Sequence, residues 1–186
     1  MKNLAQSVSR NRLEWKLSDQ TSEHLFPVLI SLGSNLNPEA NLSAAVELLS
    51  GKADDLIISS VWKTPAVGSS GPDYLNMAVV IFTNLPPQAI KSSIISPLEN
   101  MLGRIRSDNK YMDRTIDLDI LIYNDLVIDP ELWTQAHLAI PASELMPKLI
   151  NGETGETLQG IAIRLLSRAG ISRHPLSDEI STPLEL

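Results

Sequence analysis

The chain has 186 residues and 43% hydrophobic content, which suits one domain with extensions around an ordinary core. A net charge of −7 and a pI near 4.9 argue against nucleic acid as a partner. The absence of cysteine excludes disulfides and thiolate metal sites and suits a reducing, cytoplasmic setting. No apolar run approaches the ~18 residues that span a membrane, and the first residues lack the apolar stretch of a signal peptide. A monomer is the default expectation.

Residues 1–25 are polar, with scattered Leu4, Leu13, Trp15 and Leu17, and read as an N-terminal extension outside the core. Val28 to Leu32 form a short buried strand, stopped by Gly33-Ser34-Asn35. Asn37-Pro38 reads as an N-cap followed by proline at the first helical position. Leu42, Ala45, Val46 and Leu49 then recur at helical spacing up to Gly51. A strand is expected from Leu56 to Lys63, and turn chemistry makes Thr64 to Pro72 a loop. Leu75, Met77, Val79 and Ile81 alternate along a long strand ending near Thr83. Pro86-Pro87 opens a second helix with Ile90, Ile94, Leu98, Met101 and Leu102 as its apolar stripe; Pro97 should kink it and Gly103 end it. One more strand runs to about Tyr123, and it is expected to be central. The order βαββαβ predicts an α+β fold with a split-βαβ, ferredoxin-like core. A further helix is expected near 156–169, with Leu158, Ile161 and Leu165 inward. From Ser172 the chain reads as loose. The predicted division is extension 1–25, domain 26–170 and tail 171–186.

The segment from Gly103 to Ile120 carries the chemistry. Asp117 and Asp119 lie two residues apart in a strand-like run, so they project to one face. Paired carboxylates on one face repel and call for a cation; hard oxygen ligands of this kind suit Mg²⁺ together with substrate phosphates. Arg104, Arg106, Lys110 and Arg114 crowd just upstream in an otherwise acidic chain. Cations for phosphate oxygens beside carboxylates for a metal are the pattern of a phosphoryl-transfer site. The plainer alternative is a solvated strand edge beside a basic loop.

Several strings together resemble the 6-hydroxymethyl-7,8-dihydropterin pyrophosphokinase family of folate biosynthesis. They are Leu32-Gly33-Ser34-Asn35-Leu36, Trp62-Lys63-Thr64-Pro65-Ala66-Val67-Gly68, Pro72-Asp73-Tyr74-Leu75-Asn76, Leu98-Glu99, Leu102-Gly103-Arg104 and Arg114-Thr115-Ile116-Asp117-Leu118-Asp119-Ile120. The resemblance covers about Val28 to Ile150. It implies transfer of pyrophosphate from MgATP to the pterin hydroxymethyl group. It implies Asp117 and Asp119 as ligands of two Mg²⁺ ions, and Arg104 and Arg114 as the catalytic cations on the phosphates. Thr64, Pro65, Val67, Tyr74 and Asn76 would receive the pterin, by backbone hydrogen bonds, ring stacking and the side-chain amide. Glu99, Arg106, Lys110 and Thr115 fall on the nucleotide side. The small molecules ATP and pterin are the expected partners.

The chain departs from the family pattern at two places. Lys110-Tyr111-Met112-Asp113 stands where the family carries Arg-Trp-Gly-Pro. The stretch from Asp129 to His137 is several residues short of the family's nucleotide segment, and His137 falls near its second stacking aromatic. These departures keep open an alternative, a pterin-binding paralogue with lost or altered nucleotide-dependent transfer. The loops Val67 to Pro72 and Arg106 to Asp113 are expected to be mobile and to close over the substrates.

Overall fold

A computed structural model of the chain describes residues 25–52, 55–66, 71–104, 113–167 and 170–180. The N-terminal extension, Val67, Arg106 and Lys110, and most of the two loops expected to close, lie outside the described residues.

The sheet is antiparallel. Its strands are β1 (Phe26–Ser34), β2 (Leu56–Ile58), β3 (Trp62–Thr64), β4 (Tyr74–Thr83), β5 (Asp117–Tyr123), β6 (Leu126–Val127) and β7 (Ser172–Arg173). They lie in the order β6-β5-β1-β4-β3-β7, with β2 also paired to β4. The strand expected from Leu56 to Lys63 is thus two strands. The break has a local cause: the Ser59 hydroxyl accepts from the Ala78 N–H at 2.8 Å, displacing a backbone ladder bond.

β4 is buried on both faces, so its odd and even residues enter two different cores. Leu75, Met77, Val79 and Ile81 join one core with α1 (Pro38–Ser50), α2 (Pro87–Ile90) and α3 (Ser96–Met101). Ala78 and Val80 join the other with α4 (Ala136–Leu145) and α5 (Leu158–Leu166). Truncating a buried Leu or Ile in either core to Ala is expected to cost about 2–5 kcal/mol.

α1 begins where expected, but Asn37 sits at φ 44° and makes no side-chain cap. The second helix runs without a break in sequence but widens into a π turn over Lys91–Ile95 before α3. Pro97 lies at the start of α3, lacks an N–H and would clash with the preceding turn, and the wider turn accommodates it. Met101 of the predicted stripe is 67% exposed. Leu158 and Ile161 of α5 are buried as expected.

Two expectations need correction. β5 is not central along its length: β1 flanks one edge, but β6 covers only Ile122 and Tyr123 on the other. The segment from Ser172 is not loose up to Ile180. β7 pairs with β3, the Ser177 hydroxyl accepts from Val61 N–H at 2.8 Å, and Leu176 of α6 (Leu176–Ile180) is buried in the first core. Short polar stretches gave no periodicity from which this docking could be read.

Candidate active site

The site residues gather at one end of the sheet, where β1 and β3 finish and β4 and β5 begin. Register aligns them: Asn76 of β4 lies opposite Gly33 of β1, which lies opposite Asp117 of β5. Directly paired residues share a face, so Asn76 and Asp117 point to the same side, two strand spacings or about 10 Å apart. Gly33 separates them, and any side chain there would have to push the Asn76 amide aside. A Cβ built there would lie 3.0 Å from Asn76 Oδ1.

On the β4 side the groups are neutral. Asn76 Nδ2 donates to Thr64 Oγ1 at 2.8 Å, and both residues are buried. Tyr74 pairs with Thr64 across the ladder and is half-buried. Burial first, then the charges of Asp113 and Asp117, raise its phenol pKa against the opposing pull of Arg114. Tyr74 is therefore near the charged groups as well as beside Thr64. Pro65 follows at the strand end and is exposed.

On the β5 side the groups are charged. Arg104 and Arg114 each bond Asp117, one to each carboxylate oxygen, and Arg104 also bonds Glu99. Arg104 owes its place to the end of α3. Gly103 adopts φ 73° and the Arg104 N–H returns to the Glu99 carbonyl at 2.9 Å, a Schellman-type closure. Glu99 is buried, and its Oε1 also accepts from the Leu118 N–H at 3.2 Å. That N–H lies on the β5 edge that β6 leaves uncovered, so Glu99 takes the place of a neighbouring strand. Asp119, two residues on, is exposed; loss of water first and Asp117's charge second raise its carboxyl pKa, with Arg104 and Lys91 opposing.

The structure brings together Thr64, Tyr74, Asn76, Glu99, Arg104, Arg114, Asp117 and Asp119. Thr115 is adjacent, but its hydroxyl is buried and without a hydrogen-bond partner, so it does not face the opening. His137 stands in the first turn of α4, on the same sheet face. Burial lowers its pKa, while Glu131, Asp129 and Asp117 oppose that shift and Arg114 adds to it. The sequence reading gave no role to Asn35 and Ser34, which tie the end of β1 to the segment leading into β5. The Ser34 hydroxyl donates to the Thr115 carbonyl at 2.5 Å, and Asn35 bonds Arg114 and Asp113. The signal available was a small polar run directly after a buried strand.

Asp117 and Asp119 supply two hard oxygen ligands on one face. Among the described residues Glu99, Asp117 and Asp119 lie beside Arg104 and Arg114, and two carboxylates on one face are a donor set that fits a divalent cation. Among the described residues no group of three or more His, Asp or Glu is arranged to hold a metal by itself. The further ligands would come from phosphate oxygens and water.

Comparison with known proteins is consistent with this geometry. The family model for 7,8-dihydro-6-hydroxymethylpterin-pyrophosphokinase matches residues 29–147. A Synechocystis 2-amino-4-hydroxy-6-hydroxymethyldihydropteridine pyrophosphokinase is 28% identical over 70% of this chain and 71% of its own length. The Haemophilus influenzae protein of the same name is 37% identical over 58% of this chain and 69% of its own. Among solved structures, Plasmodium falciparum HPPK-DHPS with pteroate aligns at a TM-score of 0.61 and 12% identity, over 82% of this chain but only 44% of that longer one. That likeness concerns the fold.

Proposed function

The chain belongs to the 7,8-dihydro-6-hydroxymethylpterin-pyrophosphokinase family, and on that premise we propose the reaction and the residues that carry it. The protein is an ATP-dependent pyrophosphokinase of folate biosynthesis. The hydroxymethyl oxygen of the pterin attacks the β-phosphorus of ATP, the bond between the α-β bridging oxygen and that phosphorus breaks, AMP leaves, and the hydroxyl proton passes to solvent.

One observation carries the residue assignment: Asn76, Gly33 and Asp117 lie in one register row across three strands. A flat pterin whose edge is read by Asn76 and Thr64, with Tyr74 and Pro65 at its faces, would extend its hydroxymethyl group toward Asp117. Val67 belongs to the same loop, and His137 would close the ring's other side from α4. Arg104 and Arg114 would leave Asp117 for phosphate oxygens as the nucleotide arrives, aided by Arg106 and Lys110. Glu99 then acts through Arg104, and Thr115 through the backbone around Arg114. Positioning and charge stabilisation supply the rate, and no protein nucleophile is needed. Asp117 and Asp119 would hold Mg²⁺, two ions in our reading; when bound, Mg²⁺ neutralises and polarises the phosphates.

We read the core as ferredoxin-like, because β2 and β3 together occupy the second strand's place in the order β5-β1-β4-β3. The domain then runs from 26 to 180, with 1–24 as an extension. We also propose that the protein works as a monomer in the cytoplasm.

The test is direct. Full-length protein with Mg²⁺, ATP and 6-hydroxymethyl-7,8-dihydropterin should yield AMP and pterin diphosphate in equal amounts by chromatography. Calorimetry with pterin alone and then with a non-hydrolysable ATP analogue separates transfer from mere pterin binding. Pterin binding without any nucleotide binding at millimolar concentration would favour the paralogue that only binds.

A further inference from the structure

Asn35 touches neither the row of pterin groups nor the carboxylate pair, yet it is 3% exposed and its amide is used on both sides. Its Oδ1 accepts from the Arg114 N–H at 2.7 Å, and its own N–H donates to the Arg114 carbonyl at 3.1 Å. Its Nδ2 donates to Asp113 Oδ1 at 2.7 Å and to the Pro72 carbonyl at 3.4 Å. The amide orientation is forced, because a backbone N–H only donates and a carboxylate only accepts. Asn35 thus grips Arg114 by both backbone groups, holds the residue before it by the side chain, and reaches the strand entry two residues before Tyr74.

We propose that Asn35 and Asp113 form the positioning pair that aims Arg114 at the phosphates. The physical need is clear at Asp113. Nothing in an aspartate restricts its backbone, as a proline would, so the direction of the chain entering Arg114 has to be set by contacts. The guanidinium acts at the far end of a long side chain, and a small rotation of its backbone moves it by an ångström or more. The Asn35–Asp113 bond supplies the missing restriction. It also orients the Asp113 carboxylate toward Asn35, whose amide solvates one of its oxygens. The pair is directional: position 35 must donate to 113 and accept from 114. Aspartate at 35 keeps the shape and the acceptor but loses the donor, and sets two carboxylates against each other.

The proposal rests on Arg114 serving the phosphates, and its test separates the two ideas. Asn35→Asp should lower kcat by about 100-fold, the scale of a misplaced catalytic group, with KM for the pterin changed little. The double variant Asn35→Asp/Asp113→Asn reverses donor and acceptor and should regain about tenfold or more. Asp113→Ala, at a half-exposed position, should cost about 10-fold and serves if Asn35→Asp fails to fold. Alongside turnover, the ¹⁵N–¹H signal of Arg114 Nε, assigned with Arg114→Lys, should be sharp in the wild type, broadened in Asn35→Asp and Asp113→Ala, and restored in the double variant. Unchanged kcat and an unchanged Arg114 signal in Asn35→Asp would overturn the pair. A double variant that folds but stays as impaired as the single one would also overturn it; the Arg114 signal and the unchanged KM distinguish positioning from a general loss of structure. If the wild type itself makes no AMP, the proposed reaction fails, and the Arg114 signal across the three variants still decides the positioning.

Discussion

On one side of Gly33 the sheet face carries Asn76, Thr64 and Tyr74; on the other it carries Asp117 and Asp119 with Arg104 and Arg114. The neutral side is internally satisfied, since Asn76 already donates to Thr64 across the β3–β4 ladder and both residues are buried. A ligand meeting it finds groups already held in place, and little has to reorganise. The charged side is also paired, with Asp117 holding both arginines. In the proposed reaction that pairing would change, the arginines moving to phosphate and the carboxylate to a metal. Rigid recognition on one half and exchange of ionic partners on the other fit a flat aromatic substrate and a flexible triphosphate respectively. The comparison also predicts where the protein tolerates change: the neutral half should respond in substrate affinity, the charged half in rate.

The largest effect is expected at Asp117. Asp117→Ala removes a metal ligand and leaves Arg104 and Arg114 without their shared partner. Several kcal/mol of transition-state stabilisation should be lost, with kcat down by about a thousandfold or more by AMP release, and pterin affinity by calorimetry nearly unchanged. Asp119→Ala should behave alike in rate while leaving the arginines paired. Equal turnover by both variants and wild type would remove the metal assignment.

Asn76→Ala tests the other half. It deletes the amide reader and frees the buried Thr64 hydroxyl. The expected cost is about 1–3 kcal/mol in pterin binding, which is roughly a 10- to 100-fold rise in pterin Kd, with the Kd of the non-hydrolysable nucleotide unaffected. If nucleotide affinity fell equally, the two halves would not be separate recognition surfaces.

Glu99→Ala sits where the halves' logic meets the fold. It strands the Leu118 N–H on the uncovered edge of β5 and releases Arg104. A buried unsatisfied donor costs about 1–3 kcal/mol, so Tm should fall by roughly 2–10 °C for a chain of this size. Glu99→Gln keeps an acceptor for Leu118 and should recover most of the Tm while leaving turnover reduced. Matching losses of Tm in both variants would mean that the carboxylate's charge, rather than its acceptor oxygen, holds the edge.

How far this was visible beforehand depends on what each residue's neighbours in sequence disclose. Asp117 and Asp119 stood out because two charges inside Ile116 to Ile122 interrupt an apolar strand pattern. β1, β4, β5, α1 and α5 were legible from their periods. Pro141 lies inside α4 and is buried there, so a residue that normally ends helices hid one. β7 and α6 are held by register with β3 and by single hydrogen bonds from Ser177, contacts between segments more than a hundred residues apart that leave no local pattern. Asn35 escaped for the same reason: its partners are Pro72, Asp113 and Arg114, all distant in sequence. Glu99 was expected on the nucleotide side; its bonds to Arg104 and to the Leu118 N–H join segments apart in sequence and leave no periodic signal.

The smallest effect is expected at His137, and it bears on which half this residue serves. Burial holds its pKa below the ordinary 6.5, so it is neutral in the folded chain at pH 7. The unfolded chain takes up a proton near its ordinary pKa, whereas the folded chain takes one up only at lower pH. Between those two values the unfolded state binds more protons, so stability rises with pH there. The contribution is therefore complete above about pH 6.5 and declines as pH falls through the window below it. His137→Phe should remove that slope from a plot of denaturation midpoint against pH while leaving the midpoint at pH 7.5 close to wild type. A neutral ring at the start of α4 can cover a pterin, whereas an imidazolium there would be drawn to the Asp117 carboxylate. Pterin Kd should accordingly weaken on lowering the pH from 7.5 to 5.5 in the wild type and stay flat in His137→Phe, with nucleotide affinity the same in both. A nucleotide affinity that tracks the histidine instead would assign His137 to the charged half.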